Sequence, residues 1–112
     1  MPVPKADRHD VLTSGKAEVS IVFTTDPQIQ RESEVLLEDD RKMFPPYNST
    51  LVVRKDVAER AGAALPRTLN KIQARLTDEN MQELNARVDL DGQRPSDVAK
   101  AYLSENGLLP TG

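Results

Sequence analysis

Glu18–Val19–Ser20–Ile21–Val22–Phe23, followed by Thr24–Thr25–Asp26–Pro27, is the stretch on which the fold class turns. The first six residues are rich in β-branched and aromatic side chains and lie between Gly15 and Pro27, the pattern of a short strand. The next four read as a turn, because Asp bonds its own backbone and Pro fixes φ. The turn can also cap a helical turn through Ile29. Ser33–Leu37 (SEVLL) and Leu51–Arg54 (LVVR) give two further strand candidates, with a charged loop, Glu38–Lys42, after the first of them. Upstream, residues 1–17 read as a lead-in, with a short helix end at Asp10–Lys16 closed by Gly15.

Beyond Asp56 the period changes. Asp56 is a good N-cap for a helix through Ala64. Pro66 suits the first turn of a second helix, whose apolar residues Leu65, Leu69, Ile72 and Leu76 are spaced 4, 3 and 4. Thr77 is placed to cap a third, with Met81, Leu84 and Val88 on one face. Pro95 opens a fourth, with Val98, Tyr102 and Leu103 inward and Gly107 as its stop. Three short strands followed by about four helices predict an α/β fold. Three strands alone leave sheet edges unpaired, and exposed edges recruit partners. Completion by a larger sheet, or a homo-oligomer joined through strand edges, is therefore expected.

Composition removes several classes of function. The 112 residues contain no Cys and no Trp, one His, and four Phe and Tyr together. Without Cys there is no disulfide framework or thiolate metal site. Fifteen basic against eighteen acidic residues give a net charge of −3, without the basic footprint of a nucleic-acid binder. No apolar run exceeds three residues, so neither a membrane span nor a secretory leader is legible in the residues given. On these residues alone the chain would stay in the cytosol.

Few residues offer chemistry. Glu38–Asp39–Asp40 could ligate a hard cation, but it lacks the alternating spacing of a calcium loop, and Arg41 and Lys42 adjoin it; a solvated loop is the better reading. His9 reads as an exposed side chain rather than a base. No glycine-rich phosphate loop exists, so no enzyme and no cofactor is expected. Thr24, Thr25 and Asp26 follow a strand candidate, where open α/β sheets bind ligands; hydroxyls and amides there could hold a carboxylate, and a plain turn is the competing reading. Phe44 and Tyr47 flank Pro45–Pro46. Aromatic faces attract quaternary ammonium ions, and the rigid prolines would lower the cost of ordering such a ring; a core Phe44 with a half-buried Tyr47 is the alternative. Tyr102 reads as core.

Four stretches together carry a family resemblance: FTTDPQI (23–29), VLLEDDRKMFPPYN (35–48), LVVRKDV (51–57) and LNKIQARLTDENMQELNARVDLDGQRPSDVAKAYLSENGLL (69–109). They resemble the C-terminal part of the substrate-binding proteins of osmoprotectant ABC importers, the glycine betaine/choline/carnitine binders. The resemblance covers Glu18 to Leu109, leaving 110–112 as a tail. It implies a partial lobe of a type II periplasmic-binding-protein-like fold, in which two α/β lobes close on a ligand. Tyr47 then matches a cage tyrosine that packs on the trimethylammonium group. Phe23 falls where family members often carry another, keeping the ring face and losing the hydroxyl. Thr24 and Thr25 match ligand or hinge contacts in a crossover turn.

The resemblance further implies an intact protein more than twice this length, periplasmic or extracellular and membrane-associated, that hands its solute to an ABC permease. Two rings are only part of a cage, so weak or absent binding by this chain alone is expected. The alternative expectation is a stand-alone module that self-associates, for example as a strand-swapped dimer, and takes no small-molecule ligand.

Overall fold

The computed structural model of the protein describes residues 8–110. Six helices follow in chain order: α1 (Asp10–Thr13), α2 (Gln28–Arg31), α3 (Lys55–Ala61), α4 (Ala64–Gln73), α5 (Asp78–Asp89) and α6 (Pro95–Glu105). The chain divides into two compact units. One joins the described residues up to Leu36 with those from Asp78 onward, and the other is Leu37–Thr77. No helix among the described residues is long and apolar enough to cross a membrane.

In the first unit α5 packs against both α2 and α6. Val11 of α1, Ile29 of α2, Ala86 of α5 and Val98 of α6 form its small apolar core. Polar bonds fasten α2 to the start of α5 and to the turn that follows it. Gln30 donates to the Glu79 carbonyl at 3.2 Å, and Arg31 makes a two-pronged pair with Asp91 at 2.9 and 3.2 Å. α6 starts with Pro95 at its first turn, where a missing N–H costs nothing. It ends as expected at Gly107, whose φ of 64° lets the Leu108 amide reach back to the Leu103 carbonyl at 2.8 Å.

The second unit carries α3 and α4, which pack on one another. The Leu65, Leu69 and Ile72 face of α4 is half-buried. α3 begins two residues earlier than expected: Arg54, not Asp56, is the capping residue. Asp56 lies in the first turn instead, where a negative charge faces the positive end of the helix dipole. It pairs there with Arg54 and Arg60, each at 3.4 Å.

The expected strands are absent, and the α/β reading is corrected. Among the described residues 18–23, 33–37 and 51–54 form no sheet. A strand exists only through bonds to a neighbouring strand, and none of these segments acquires one. Their β-rich side chains are left at the surface, Val19, Val35 and Leu37 among them, with Val52 91% exposed. The second candidate is also broken locally. Ser33 adopts φ 54° directly after α2, and the Glu34 amide donates back to the Ile29 carbonyl at 3.0 Å. That is a left-handed helix cap, which turns Glu34 out of an extended run. Phe44, the alternative core residue, is 51% exposed.

Candidate functional site

The Phe23–Asp26 turn is built from within and gripped from outside. The Asp26 amide donates to the Phe23 carbonyl at 3.0 Å, and the Asp26 carboxylate accepts the Phe23 amide at 2.9 Å. This is the self-bonding that makes Asp a turn residue. The next two carbonyls are taken by α5: Gln82 Nε2 donates to Thr24 O at 2.6 Å, and Asn85 Nδ2 to Thr25 O at 2.9 Å. Gln82 is buried, so its amide is committed to this bond. With their carbonyls held, Thr24 is exposed and Thr25 half-exposed, and the Phe23 ring stands 39% exposed at the rim of the turn.

Behind the turn lies His9, which is 6% exposed, contrary to the surface role read from its polar surroundings. Its Nε2 is 3.1 Å from an Asp26 carboxylate oxygen, the one that also takes the Phe23 amide. Its Nδ1 is 2.9 Å from each oxygen of Glu34. Burial pulls the imidazole down, yet hydrogen bonds from Glu34 and Asp26 and the charges of both carry it above its ordinary value. The His9 carbonyl meanwhile accepts the Leu12 and Thr13 amides that start α1. One residue thus ties α1, the turn and the end of α2 together.

Tyr47 lies in the second unit, whereas Phe23, Thr24 and Thr25 share one turn of the first. Its side chain is 87% exposed beyond the two prolines. The loop leading to it has its own organiser. Asp39 accepts the Phe44 amide at 2.8 Å and the Met43 amide at 2.9 Å, with Lys42 at φ 53° closing the bend. These amides, Phe44 first, hold the Asp39 carboxyl below its ordinary value. The acidic triplet therefore spends Asp39 on shaping the approach to Phe44. Among the described residues no group of three or more acidic or histidine side chains is gathered as a metal would require.

Tyr102 is half-buried rather than core. It lines a shallow polar cleft of about 240 Å³ between α5 and α6, beside Glu83, Arg87 and Glu105. None of Phe23, Thr24, Thr25 or Tyr47 lines it.

Sequence reasoning missed His9, Glu34, Gln82 and Asn85. Nothing local signals the first two, which meet across 25 positions. The other two had a signal: polar amides three apart beside Ala86, on an α5 flank distinct from Met81, Leu84 and Val88.

Comparison with known proteins places these residues in context. A glycine-betaine-binding protein of Pseudomonas aeruginosa is 42% identical over 89 residues, covering 80% of this chain and 28% of that protein. The ergothioneine transport permease/ergothioneine binding protein EgtU of Helicobacter pylori (strain G27) is 37% identical over 101 residues, 90% of this chain and 18% of that protein. The carnitine transport binding protein OpuCC of Listeria monocytogenes is 31% identical over 101 residues, 90% of this chain and 32% of that protein. The chain thus spans a fifth to a third of the length of the curated relatives it matches. No solved structure matches it. The relatives are named for binding and transport, not for a catalysed reaction, in line with the absence of enzymatic chemistry expected from the sequence. A family model, the substrate binding domain of the ABC-type glycine betaine transport system, matches residues 5–105, and with nearly the whole chain inside that match the protein belongs to this family of substrate-binding domains.

Proposed function

We propose that the chain is part of a solute-binding protein that feeds quaternary-amine osmoprotectants, such as glycine betaine, carnitine or choline, to an ABC permease. In this reading it works on the outer side of the cytoplasmic membrane and binds its solute noncovalently. The observation that carries the proposal is the family match over residues 5–105, which takes in both the Phe23–Asp26 turn and the segment around Tyr47. The ligands in the relatives' names add to it. Glycine betaine, carnitine and ergothioneine each join a trimethylammonium group to a carboxylate.

The proposed roles follow from that chemistry. The exposed rings of Phe23 and Tyr47 are contacts for trimethylammonium, each worth about 0.5–2 kcal/mol through the ring quadrupole. Thr24 and Thr25 stand beside Phe23 on carbonyls fixed by Gln82 and Asn85, and their hydroxyls are contacts for the carboxylate. Two rings supply only part of a cage, so this chain alone binds in the millimolar range, about −4 kcal/mol.

The test is NMR titration with glycine betaine, with choline, and with the neutral isostere 3,3-dimethylbutanoate. The expected result is perturbation at residues 23–25 and at the Tyr47 ring, weakened when the cation is replaced by its neutral isostere. Equal response to the isostere, or no response at those residues at saturating ligand, overturns the reading.

A second reading has an observation of its own. Val19, Val35, Leu37 and Val52 expose β-rich apolar surface. A self-associating module with no small-molecule ligand would cover it, and light scattering separates the two. A strict monomer at high concentration rules out self-association.

A further inference from the structure

Both ring nitrogens of His9 face carboxylate oxygens, Nδ1 toward Glu34 at 2.9 Å and Nε2 toward Asp26 at 3.1 Å. A neutral imidazole has one N–H and one lone pair, whereas an imidazolium has two N–H donors. The arrangement is complete only when the ring is protonated, because otherwise a lone pair of the buried imidazole points at a carboxylate; only the Asp26 side, 28% exposed, is open to water. The side chain of His9 is 8% exposed and that of Glu34 10%. The charged groups facing the ring are Asp26 at the turn and Glu34 beyond α2, while Arg8 and Asp10 are its neighbours along the chain; α5 faces the turn with the neutral Gln82 and Asn85.

We propose that the protonated His9 is the positioning residue of the Phe23–Asp26 turn, clamping Asp26 and Glu34 together, and that loss of its proton loosens the turn that presents Phe23, Thr24 and Thr25. The link to the turn is direct, since the Asp26 oxygen that meets His9 also holds the Phe23 amide. Its consequence for binding rests on the reading of the turn as a ligand contact. The direction follows from linkage. The folded His9 titrates above its ordinary value of 6.5, so the clamp is fully present below that value and is lost as pH rises through the raised one. Solute affinity falls with it, and the site releases its ligand on the alkaline side.

The test uses the wild-type chain between about pH 5 and about pH 9. Nitrogen-15 NMR of the His9 ring reports its protonation, and amide exchange reports the order of Phe23 without ligand. The clamp predicts two protonated nitrogens at about pH 6. It also predicts Phe23 exchange that quickens several-fold, beyond the intrinsic base-catalysed rise, at the midpoint of the ring's titration. Glu34→Gln should move both midpoints down together, which a role in packing alone would not do. A neutral ring at about pH 6, or Phe23 exchange that ignores the midpoint, overturns the clamp.

Glycine betaine titrated on either side of the midpoint separates this proposal from the ligand reading. Perturbation of residues 23–25 that is equal on both sides overturns the clamp and leaves the ligand reading standing. Exchange that tracks His9, with no perturbation by glycine betaine at any pH, supports the clamp and removes the ligand reading.

Discussion

Gln82 on α5 donates to the carbonyl of Thr24 at 2.6 Å across 58 positions of sequence, and this bond fixes the turn from the helix side. Truncation by Gln82→Ala removes the donor and leaves a void in a buried place. The expected loss is about 0.5–1.5 kcal/mol for the hydrogen bond, because water reaches the carbonyl of the exposed Thr24, with the lost packing of the buried side chain added to it. Urea unfolding should show a lower midpoint with an unchanged slope. Gln82→Glu should cost more, because it sets a carboxylate against a carbonyl oxygen.

Ala86 is 2% exposed in the core of the first unit. Ala86→Leu forces extra methylenes into a filled space, which costs about 1–3 kcal/mol. The thermal midpoint should fall by roughly 4–8 °C for each kcal/mol. Val98→Ala at the neighbouring core position errs the other way, removing two methyl groups' worth of burial.

Arg31 and Asp91 form a well-aligned but exposed pair. Ion pairs in solvent are screened by salt. Arg31→Ala should therefore shift the unfolding midpoint less than Gln82→Ala does. The shift should shrink further in about 1 M salt, where charges are felt over only ~3 Å. A salt-independent effect would show that Arg31 matters through packing of its stem.

Asp39 holds the bend before Phe44 as an ionised acceptor, and the Phe44 and Met43 amides keep its carboxyl below the usual 3.8. A depressed value means that the bend's contribution is present above about pH 4 and lost as pH falls through the lowered value. The Phe44 and Met43 amide resonances should move together in acid. Asp39→Ala should give their acid positions at neutral pH.

The sequence made the helices legible because their signals are local. Pro95 and Gly107 bracket α6, and the spacing of Leu65, Leu69 and Ile72 marks α4, although the helix stops at Gln73, short of the Leu76 expected on the same face. The strands failed for the opposite reason. Residues such as Val19, Ile21 and Val52 favour a sheet, but a sheet is a relation between segments, and β-propensity does not say whether a neighbour is present. The site was half legible. The self-bonded Asp26 turn could be read from Thr24–Thr25–Asp26–Pro27. The clamp could not, since His9, Asp26 and Glu34 come together only once Ser33 takes its left-handed cap.

The first unit is assembled from two stretches of chain with Leu37–Thr77 between them. During synthesis, residues 23–26 therefore emerge long before Gln82 and Asn85 exist to hold them. The turn must wait on the ribosome for more than fifty further residues, a delay set by the 58- and 60-residue separations of those two bonds. Closing so long a loop adds little free energy over a shorter one, but distant contacts slow the search. The Phe23–Asp26 turn should be among the last parts of the chain to gain protection in refolding, and α3 with α4, joined by near neighbours, among the first.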